Sequence, residues 1–479
     1  MRIWDGFSLA AALRRSRHRD MSLNARSGVA SWETLVLRTP SVSLLTMQAA
    51  TGTDAVADFA RQVLGGTGWE LARVRRRFSR LEPPHSYWVV FEITIKKGEE
   101  EEKFRLVARG AFDAESWSHL KERLEREGGG RPCDPIHHIG YPHIVEDYQL
   151  AYWFYPFDLA LPGLPWAADA RTMWRVLSDV TGRQIDRVRV ERVRYVPEIS
   201  GILRYDLDEP GGIRSSLYGK VQPGERGLRT YRIEEALWQR ALESDGLLKI
   251  AKPEAFIREY GMLLEGAAPG KPVKGDRETA EFFGVGIAAA DALAVIHESG
   301  LEPDERVDIE SELSRLDSVA EQFAYVDPKA HFLLSELVLH LRDRITKTYE
   351  EEVLPTHADL KYDQFLHEDG RYTLIDFDYF AMAETSYDLA KFCAYAIPSA
   401  PRGWEDTVAA ENTRRAFLNR YRELRPYATL DRFQIYEALI LALRAMTMMW
   451  SQHRGWEHAA QVFLVMAQER LNTRLPEAS

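Results

Sequence analysis

A chain of 479 residues, 45% hydrophobic and 11% aromatic, is long enough to bury a large core in two or three structural units. Its 62 basic and 73 acidic residues leave a formal charge of -11, which argues against a nucleic acid held through a general basic surface. Two distant cysteines, Cys133 and Cys393, exclude a disulfide framework, and no Cys-x-x-Cys pair points to zinc or thiol redox chemistry.

At the N-terminus, Arg14, Arg15, Arg17 and Arg19 follow the short apolar stretch Phe7 to Leu13 instead of preceding it, which is not the order of a secretion signal. Few periodic apolar positions occur before Ser43, so residues 1–46 read as a flexible extension. Beyond them the pattern predicts a helix at Thr53–Leu64, strands at Tyr87–Lys96, Phe104–Arg109 and Tyr148–Phe157, and a helix at Ala114–Glu127. Gly98 to Glu102 reads as a charged hairpin turn. An antiparallel sheet packed by helices, an α+β domain over 47–175, is expected. Cys133, His137, His138 and His143 are too irregularly spaced for a zinc site and read as an ordered loop.

Next, Arg187–Tyr195 alternates apolar and charged residues, Gly201–Leu207 follows, and Ser215–Val221 comes after the Pro210-Gly211-Gly212 turn. This is a three-stranded antiparallel meander with Lys220 on its third strand, where an ammonium can reach nucleotide phosphates. The helix Arg229–Glu243 offers Glu234 or Glu235 to hold that lysine. No Gly-x-x-x-x-Gly-Lys-(Ser/Thr) occurs, which disfavours a Walker-type ATPase. After Gly261–Gly270, which begins as an apolar strand, Ala288–His297 reads as a buried helix stopped by Gly300, with His297 a packed helix end.

The most informative segment runs from His357 to Asp378. Asp359 sits in a loop opened by Pro355, Gln364 begins a short apolar strand, Glu368-Asp369-Gly370 makes a turn, and Tyr372–Phe377 returns. The hairpin brings Gln364 and Asp376 to one end. Phosphoryl transfer needs a residue to orient and deprotonate the attacking hydroxyl and ligands for Mg2+, and Mg2+ accepts few protein oxygens beside water and phosphate. Asp359 suits the first task; Gln364 and Asp376 suit the second.

Toward the C-terminus, helices are expected at Val408–Leu424, Asp431–Gln452, with Asp431 as N-cap, and Trp456–Leu471. The longest apolar runs, Ala438–Leu443 and Ala445–Trp450, are split by Arg444 and fall short of the roughly 18 residues of a membrane span, so no membrane is expected as a partner and the cytoplasm is the expected location.

His-x-Asp-x-x-x-x-Gln, then Ile375-Asp376-Phe377-Asp378, then Tyr387-Asp388-Leu389-Ala390 resembles the aminoglycoside phosphotransferase and choline kinase group of small-molecule kinases. The resemblance implies a protein-kinase-like two-lobe α+β fold, with a β small lobe over 176–265 and a mainly helical large lobe over 266–479. It implies Asp359 as catalytic base, Gln364 and Asp376 as metal ligands, and Asp388 as the brace of the catalytic loop, with His357 and Asp378 supporting. It likens Tyr195–Gly201 to the family's phosphate-side loop and Leu264, Glu265 and Ala267 to the hinge that meets adenine. Ala358 stands where Gly is usual, and Gln364 where most members have Asn; the Gln, and Tyr155–Pro162, are similar to maltokinase-like members. The cofactors implied are ATP and Mg2+, and the partner is a small hydroxyl-bearing molecule for which Asp291, Lys361 and Tyr362 are candidate contacts. Lys361 is also placed to steady the phosphoryl group. The alternative is a nucleotide-binding scaffold without catalysis; a protein kinase is disfavoured because no Ala-Pro-Glu segment follows Asp376.

Overall fold

The computed structural model describes Met47 and residues 51–127, 142–399 and 404–473. The first unit contains α1 (Thr53–Leu64), β1 (Glu70–Glu82), β2 (Ser86–Lys97), β3 (Glu100–Ala111), α2 (Ala114–Glu127), β4 (His143–Val145) and β5 (Leu150–Phe154). These strands form one antiparallel sheet in the order β1-β2-β3-β5-β4. Alternation along β2 sends Tyr87, Val89, Phe91, Ile93 and Ile95 into one core and Trp88 and Val90 into another, so both faces are covered. β1 was not foreseen: Arg73, Arg75, Arg76, Arg77 and Arg80 hide its alternation, and these charges suit an edge strand. The charged turn is shorter than expected, since Glu100, Glu101 and Glu102 already belong to β3. Of the proposed loop cluster only His143 lies within the described residues; it packs edge-on against Phe59 at 5.2 Å.

The second sheet is preceded by α3 (Leu164–Ala167) and α4 (Ala170–Thr181), and Asp169 caps α4 by accepting the Thr172 N–H at 2.7 Å. Its strands are β6 (Arg187–Val196), β7 (Ser200–Glu209) and β8 (Ile213–Val221), then, after α5 (Arg226–Glu243), β9 (Pro253–Ile257) and β10 (Met262–Gly266). The order is β6-β7-β8-β10-β9, antiparallel throughout. The boundary expected after residue 175 falls inside α4. Met173 and Leu177 of that helix share a core with Leu203, Tyr205 and Leu264, so packing assigns the whole helix to the second sheet.

Past the hinge come β11 (Lys271–Pro272), α6 (Ala280–His297), α7 (Ile309–Val326), α8 (Pro328–Ile345), β12 (Val353–Thr356), β13 (Phe365–Glu368), β14 (Arg371–Leu374), β15 (Ala381–Glu384), α9 (Ser386–Ala396), α10 (Trp404–Leu424), α11 (Phe433–Ser451) and α12 (Trp456–Asn472). An antiparallel small lobe joined by one strand to a helical large lobe is a protein-kinase-like arrangement. Gly270, at φ +101°, lets the hinge cross β13: a Cβ there would meet the His367 backbone at 2.7 Å. α6 is long and apolar enough to cross a membrane by composition, but it packs in the large-lobe core through Phe282, Val285, Leu293 and Ile296. Asp431 does not cap α11, whose N-cap is Arg432; the chain is held there by the Arg432 N–H, donated to the buried Glu351 at 2.7 Å.

Candidate active site

β12 and β15 pair at the floor of the large lobe, and the chain leaves β12 directly into His357. The next residue, Ala358, has φ +60°, a conformation that costs an L-residue about 1 kcal/mol or more. Asp388, in the first turn of α9 and fully buried, offsets that strain by accepting the N–H groups of His357 at 2.7 Å and Ala358 at 2.8 Å. Two bonds to one carboxylate fix the peptide planes on either side of His357. His297 lies behind, its Nε2 3.8 Å from Asp388 and its Nδ1 2.7 Å from the Tyr421 hydroxyl.

Asp359 emerges from this braced loop half-buried. Its Oδ2 receives Lys361 Nζ at 2.7 Å and Gln364 Nε2 at 3.1 Å; its Oδ1 faces Lys391 Nζ at 3.2 Å. Burial works to raise its pKa, but the charges of Lys391 and Lys361 prevail and hold it below the usual carboxylate range. Gln364 is divided between tasks: its amide donates to Asp359 while its Oε1 accepts the Lys361 N–H at 2.9 Å. Sequence reasoning missed Lys391. Its signal was the spacing from Asp388, three residues on in the same helix, which puts both on the face turned to the loop.

The β13–β14 hairpin does what its sequence promised. Phe365 pairs with Leu374, and Ile375 N–H donates to Gln364 O at 3.0 Å, so Gln364 and Asp376 emerge at the same end. Asp376 takes φ +75°, another strained non-glycine position at the site. Lys220 reaches from β8 to place Nζ 2.6 Å from Asp376 Oδ1 and 2.6 Å from Asp378 Oδ2. Burial opposes the Lys220 charge, yet the two carboxylates outweigh it and raise its pKa. For Asp376, burial is likewise overruled by Lys220 and the pKa falls well below the ordinary value; Asp378, buried and beside Asp376, is raised.

Two sequence expectations are corrected here. Glu235 does not face the lysine: it is exposed and accepts the Tyr231 hydroxyl at 2.6 Å, whereas Glu234, one residue before, is turned inward and only 2% exposed. Glu234 is also not bonded to Lys220, because Asp376 and Asp378 hold that ammonium; burial and the neighbouring Glu265 push the Glu234 pKa up. At the hinge, Leu264 is a core side chain, and the N–H groups of Gly266 and Ala267 are donated to Lys252 O at 2.8 Å and Ser216 O at 3.3 Å, so Ala267 offers no free N–H to a base. Glu265 turns its carboxyl toward the Lys220 cluster, and burial pushes it up to about 7. Asp291 is paired with Arg420 at 2.7 Å; Tyr362 is half-buried beside the site, under the Arg277 guanidinium at 4.7 Å.

Among the described residues no three His, Cys, Asp or Glu side chains form a metal cage. What converges is oxygen: the Asp376 carboxylate and the Gln364 amide at one end of a hairpin. That donor set fits a hard cation taking most of its ligands from phosphates and water.

Above the cleft, the β6–β7 turn is closed by Ile199 N–H donating to Val196 O at 3.1 Å, with Pro197 and then Glu198 at φ +59°. The first unit holds this turn. Arg109 of β3 lies 3.2 Å and Arg123 of α2 3.5 Å from the Glu198 carboxylate, and buried Asp158 accepts the Glu198 N–H at 2.9 Å and the Tyr195 hydroxyl at 2.8 Å.

Residues 232–446 match the phosphotransferase enzyme family. No curated protein matches the sequence. Similar solved structures include the amicoumacin kinase hAmiN in complex with AMP-PNP, Ca2+ and Ami, at 16% identity and TM-score 0.46 over 63% of this chain and 94% of that one. The choline kinase LicA from Streptococcus pneumoniae shares 15% identity, TM-score 0.44, over 62% and 98% of the two chains. Spectinomycin phosphotransferase APH(9)-Ia with ADP and its drug shares 13% identity, TM-score 0.39, over 63% and 99%.

Proposed function

We propose that this chain, whose residues 232–446 are a phosphotransferase enzyme family domain, is an ATP-dependent O-phosphotransferase acting on a hydroxyl of a small polar molecule. Sugars, aminosugars and aminoglycoside-like compounds form the starting set of acceptors. The observation that carries this reading is the convergence of Asp359, Gln364, Asp376 and Lys220, drawn from both lobes, on one cleft.

In this reading the acceptor oxygen attacks the γ-phosphorus, the bond from that phosphorus to the β–γ bridging oxygen breaks, ADP departs, and the hydroxyl proton passes through Asp359 to solvent. Asp359, its pKa held down by two lysines, is a weak base; its main contribution is to orient the hydroxyl, which suffices for a loose transition state in which little proton transfer is needed early. Lys220 leaves Asp376 and Asp378 to align the ATP phosphates, and Glu234 stands ready to receive part of its charge. Gln364 keeps its NH2 on Asp359, and its Oε1, which accepts the Lys361 N–H, has a second lone pair that would serve the metal. Mg2+ held by Asp376 and Gln364 would neutralise phosphate charge as it shifts toward ADP. The reading sets the reaction where cytoplasmic Mg-ATP is at hand, with the N-terminal α+β unit as an accessory domain.

A second reading, a nucleotide-binding scaffold, is favoured by two observations: Lys220 is closed onto both aspartates, and Ala358 and Gln364 stand where the family usually has other residues. ADP release from Mg-ATP across the acceptor panel, beside Asp359→Asn and Asp376→Asn, separates the two. Release that needs an acceptor and collapses in both variants supports the kinase; ATP bound without release on any acceptor supports the scaffold.

A further inference from the structure

The charge around Asp359 is lopsided. Four cations surround it and the rings beside it: Lys361, Lys391, Arg277 and Arg444. Among the described residues Asp359 is the single carboxylate paired with any of them. Arg277 and Arg444 are buried, 8% and 4% exposed, and are satisfied without an acid. Arg277 donates to Ala396 O at 3.1 Å and lies over Tyr362; Arg444 donates to Ile397 O at 2.7 Å and Ser399 Oγ at 2.8 Å and lies 5.1 Å from the centre of Tyr395. Carbonyls and ring faces solvate these charges but do not cancel them. Burial, with Arg277 acting in the same direction, lowers the Arg444 pKa only to about 10, so it stays a cation at neutral pH.

The two lysines divide by side. Lys361 interacts electrostatically with both Asp359 and Asp376, so it extends to the nucleotide side of the site, and it shares the Tyr395 ring with Lys391, lying 5.3 Å from the ring centre. Lys391 reaches Asp359 from the other oxygen, and its remaining neighbours are the rings of Tyr387 and Tyr395, at 5.9 Å and 5.7 Å. Its ammonium spends one donor on Asp359, and its side chain keeps 12% of its surface exposed at the cleft. A like-charged acceptor would meet an uncompensated positive field here.

We propose that the acceptor is a hydroxylated anion, carrying a carboxylate or phosphate near the hydroxyl it offers, and that Lys391 and Tyr395 receive that group above the buried Arg277 and Arg444. This rests on the phosphotransferase reading, turns its acceptors toward sugar-like acids, and sets aside the cationic aminosugars and aminoglycosides. The anion competes with Asp359 for Lys391, so its arrival frees one oxygen of the carboxylate for the acceptor hydroxyl. Binding the correct substrate thereby readies the base, while neutral molecules leave Lys391 where it is.

The test is ADP release from Mg-ATP with matched polyols of three and six carbons that differ only in one terminal group: neutral (glycerol, sorbitol), carboxylate (glycerate, gluconate), phosphate (glycerol 3-phosphate, sorbitol 6-phosphate) and ammonium (3-amino-1,2-propanediol, glucamine). The expected result is a kcat/KM for an anionic member about tenfold or more above its neutral counterpart, the size of one charge-assisted contact, with the ammonium member lowest. Comparing carboxylate with phosphate identifies the anion. In Lys391→Gln the anionic-to-neutral ratio collapses toward unity; Lys391→Arg restores most of it, which a merely structural role would not do. Neutral or ammonium members turned over as well as the anions, or a ratio unmoved by Lys391→Gln, overturns this inference and leaves the phosphotransferase reading standing. Silence from every member with Mg-ATP bound overturns both.

Discussion

Asp388→Asn removes one charge and exchanges one acceptor for a donor at the point where the catalytic loop is anchored. Both carboxylate oxygens are used, at 2.7 Å by His357 N–H and 2.8 Å by Ala358 N–H, and the side chain is sealed from water. The amide can accept only one of the two. Weakening one charge-assisted bond and leaving a buried N–H opposite an NH2 costs about 3–5 kcal/mol in total. Nothing else in the loop absorbs this, because Ala358 at φ +60° gains by relaxing away from its strained conformation. Asp359 then shifts, and a displacement near 1 Å at a reacting group costs on the order of 100-fold in rate. The expected outcome is a kcat lower by about two orders of magnitude, a lower urea midpoint, and a KM for ATP changed little, since Lys220 and the hinge are anchored elsewhere. The measurements are acceptor-dependent ADP release at varied ATP and urea unfolding followed by tryptophan fluorescence. A variant with kcat within twofold of the parent and an unchanged midpoint would refute the brace; a KM for ATP rising as steeply as kcat falls would show a general collapse instead.

Lys220→Met leaves Asp376 and Asp378 facing each other without their cation, so the KM for ATP should rise about tenfold or more with kcat falling as well; an unchanged KM removes Lys220 from the nucleotide site. Glu234→Gln should impair turnover while Glu235→Gln, on the exposed face, should leave it within about twofold; the reverse order would return the assignment to Glu235. Burial pushes Glu351 up to about 7 from 4.5, so folding takes up a proton in this interval. The associated stabilisation is complete below about pH 4.5 and is lost as pH rises toward 7, an amount of about 3 kcal/mol. Urea midpoints at pH 5, 6 and 7 should therefore fall more steeply for the parent than for Glu351→Gln, and parallel slopes would contradict the buried, proton-binding carboxyl.

Local signals served well wherever a residue's neighbours in the chain are also its neighbours in space. The hairpin that joins Gln364 to Asp376 was legible because a tight turn fixes register, and the strand of Lys220 was legible because it follows the Pro210-Gly211-Gly212 turn in a meander that opens with the alternating Arg187–Tyr195. The helix limits Thr53–Leu64 and Ala114–Glu127 followed from periodicity in the same way. What failed was long-range partnership. Choosing Glu234 over Glu235 requires knowing which face of α5 meets β9 and β10, and an apolar stripe flanked by adjacent glutamates does not say. The Lys220 pairing was missed since three acids compete for one ammonium and only coordinates rank them. β1 was hidden because its burial comes from a partner strand while its own sequence is dominated by arginine. Arg444, read as an interruption in an apolar helix, is buried because carbonyls at the end of α9 and the faces of Tyr395 and Phe463 solvate it.

The first sheet touches both lobes at once. Arg109 and Arg123 grip the turn at Glu198 in the small lobe, while on the far edge Ser79 Oγ donates to Ser451 O at 2.8 Å and Arg80 lies 4.3 Å from the ring centre of Trp450, both on α11 of the large lobe. Two lobes joined only at a hinge can open like a book; two lobes also spanned by a third body cannot. Any opening of this cleft must slide β1 across the end of α11 or release the turn from its arginines, and each of those contacts is polar and small enough to break and re-form. In the phosphotransferase reading such a crossbar would make nucleotide release depend on its slippage, so that changes made 400 residues upstream of the C-terminus would be felt as a change in turnover without any change in chemistry.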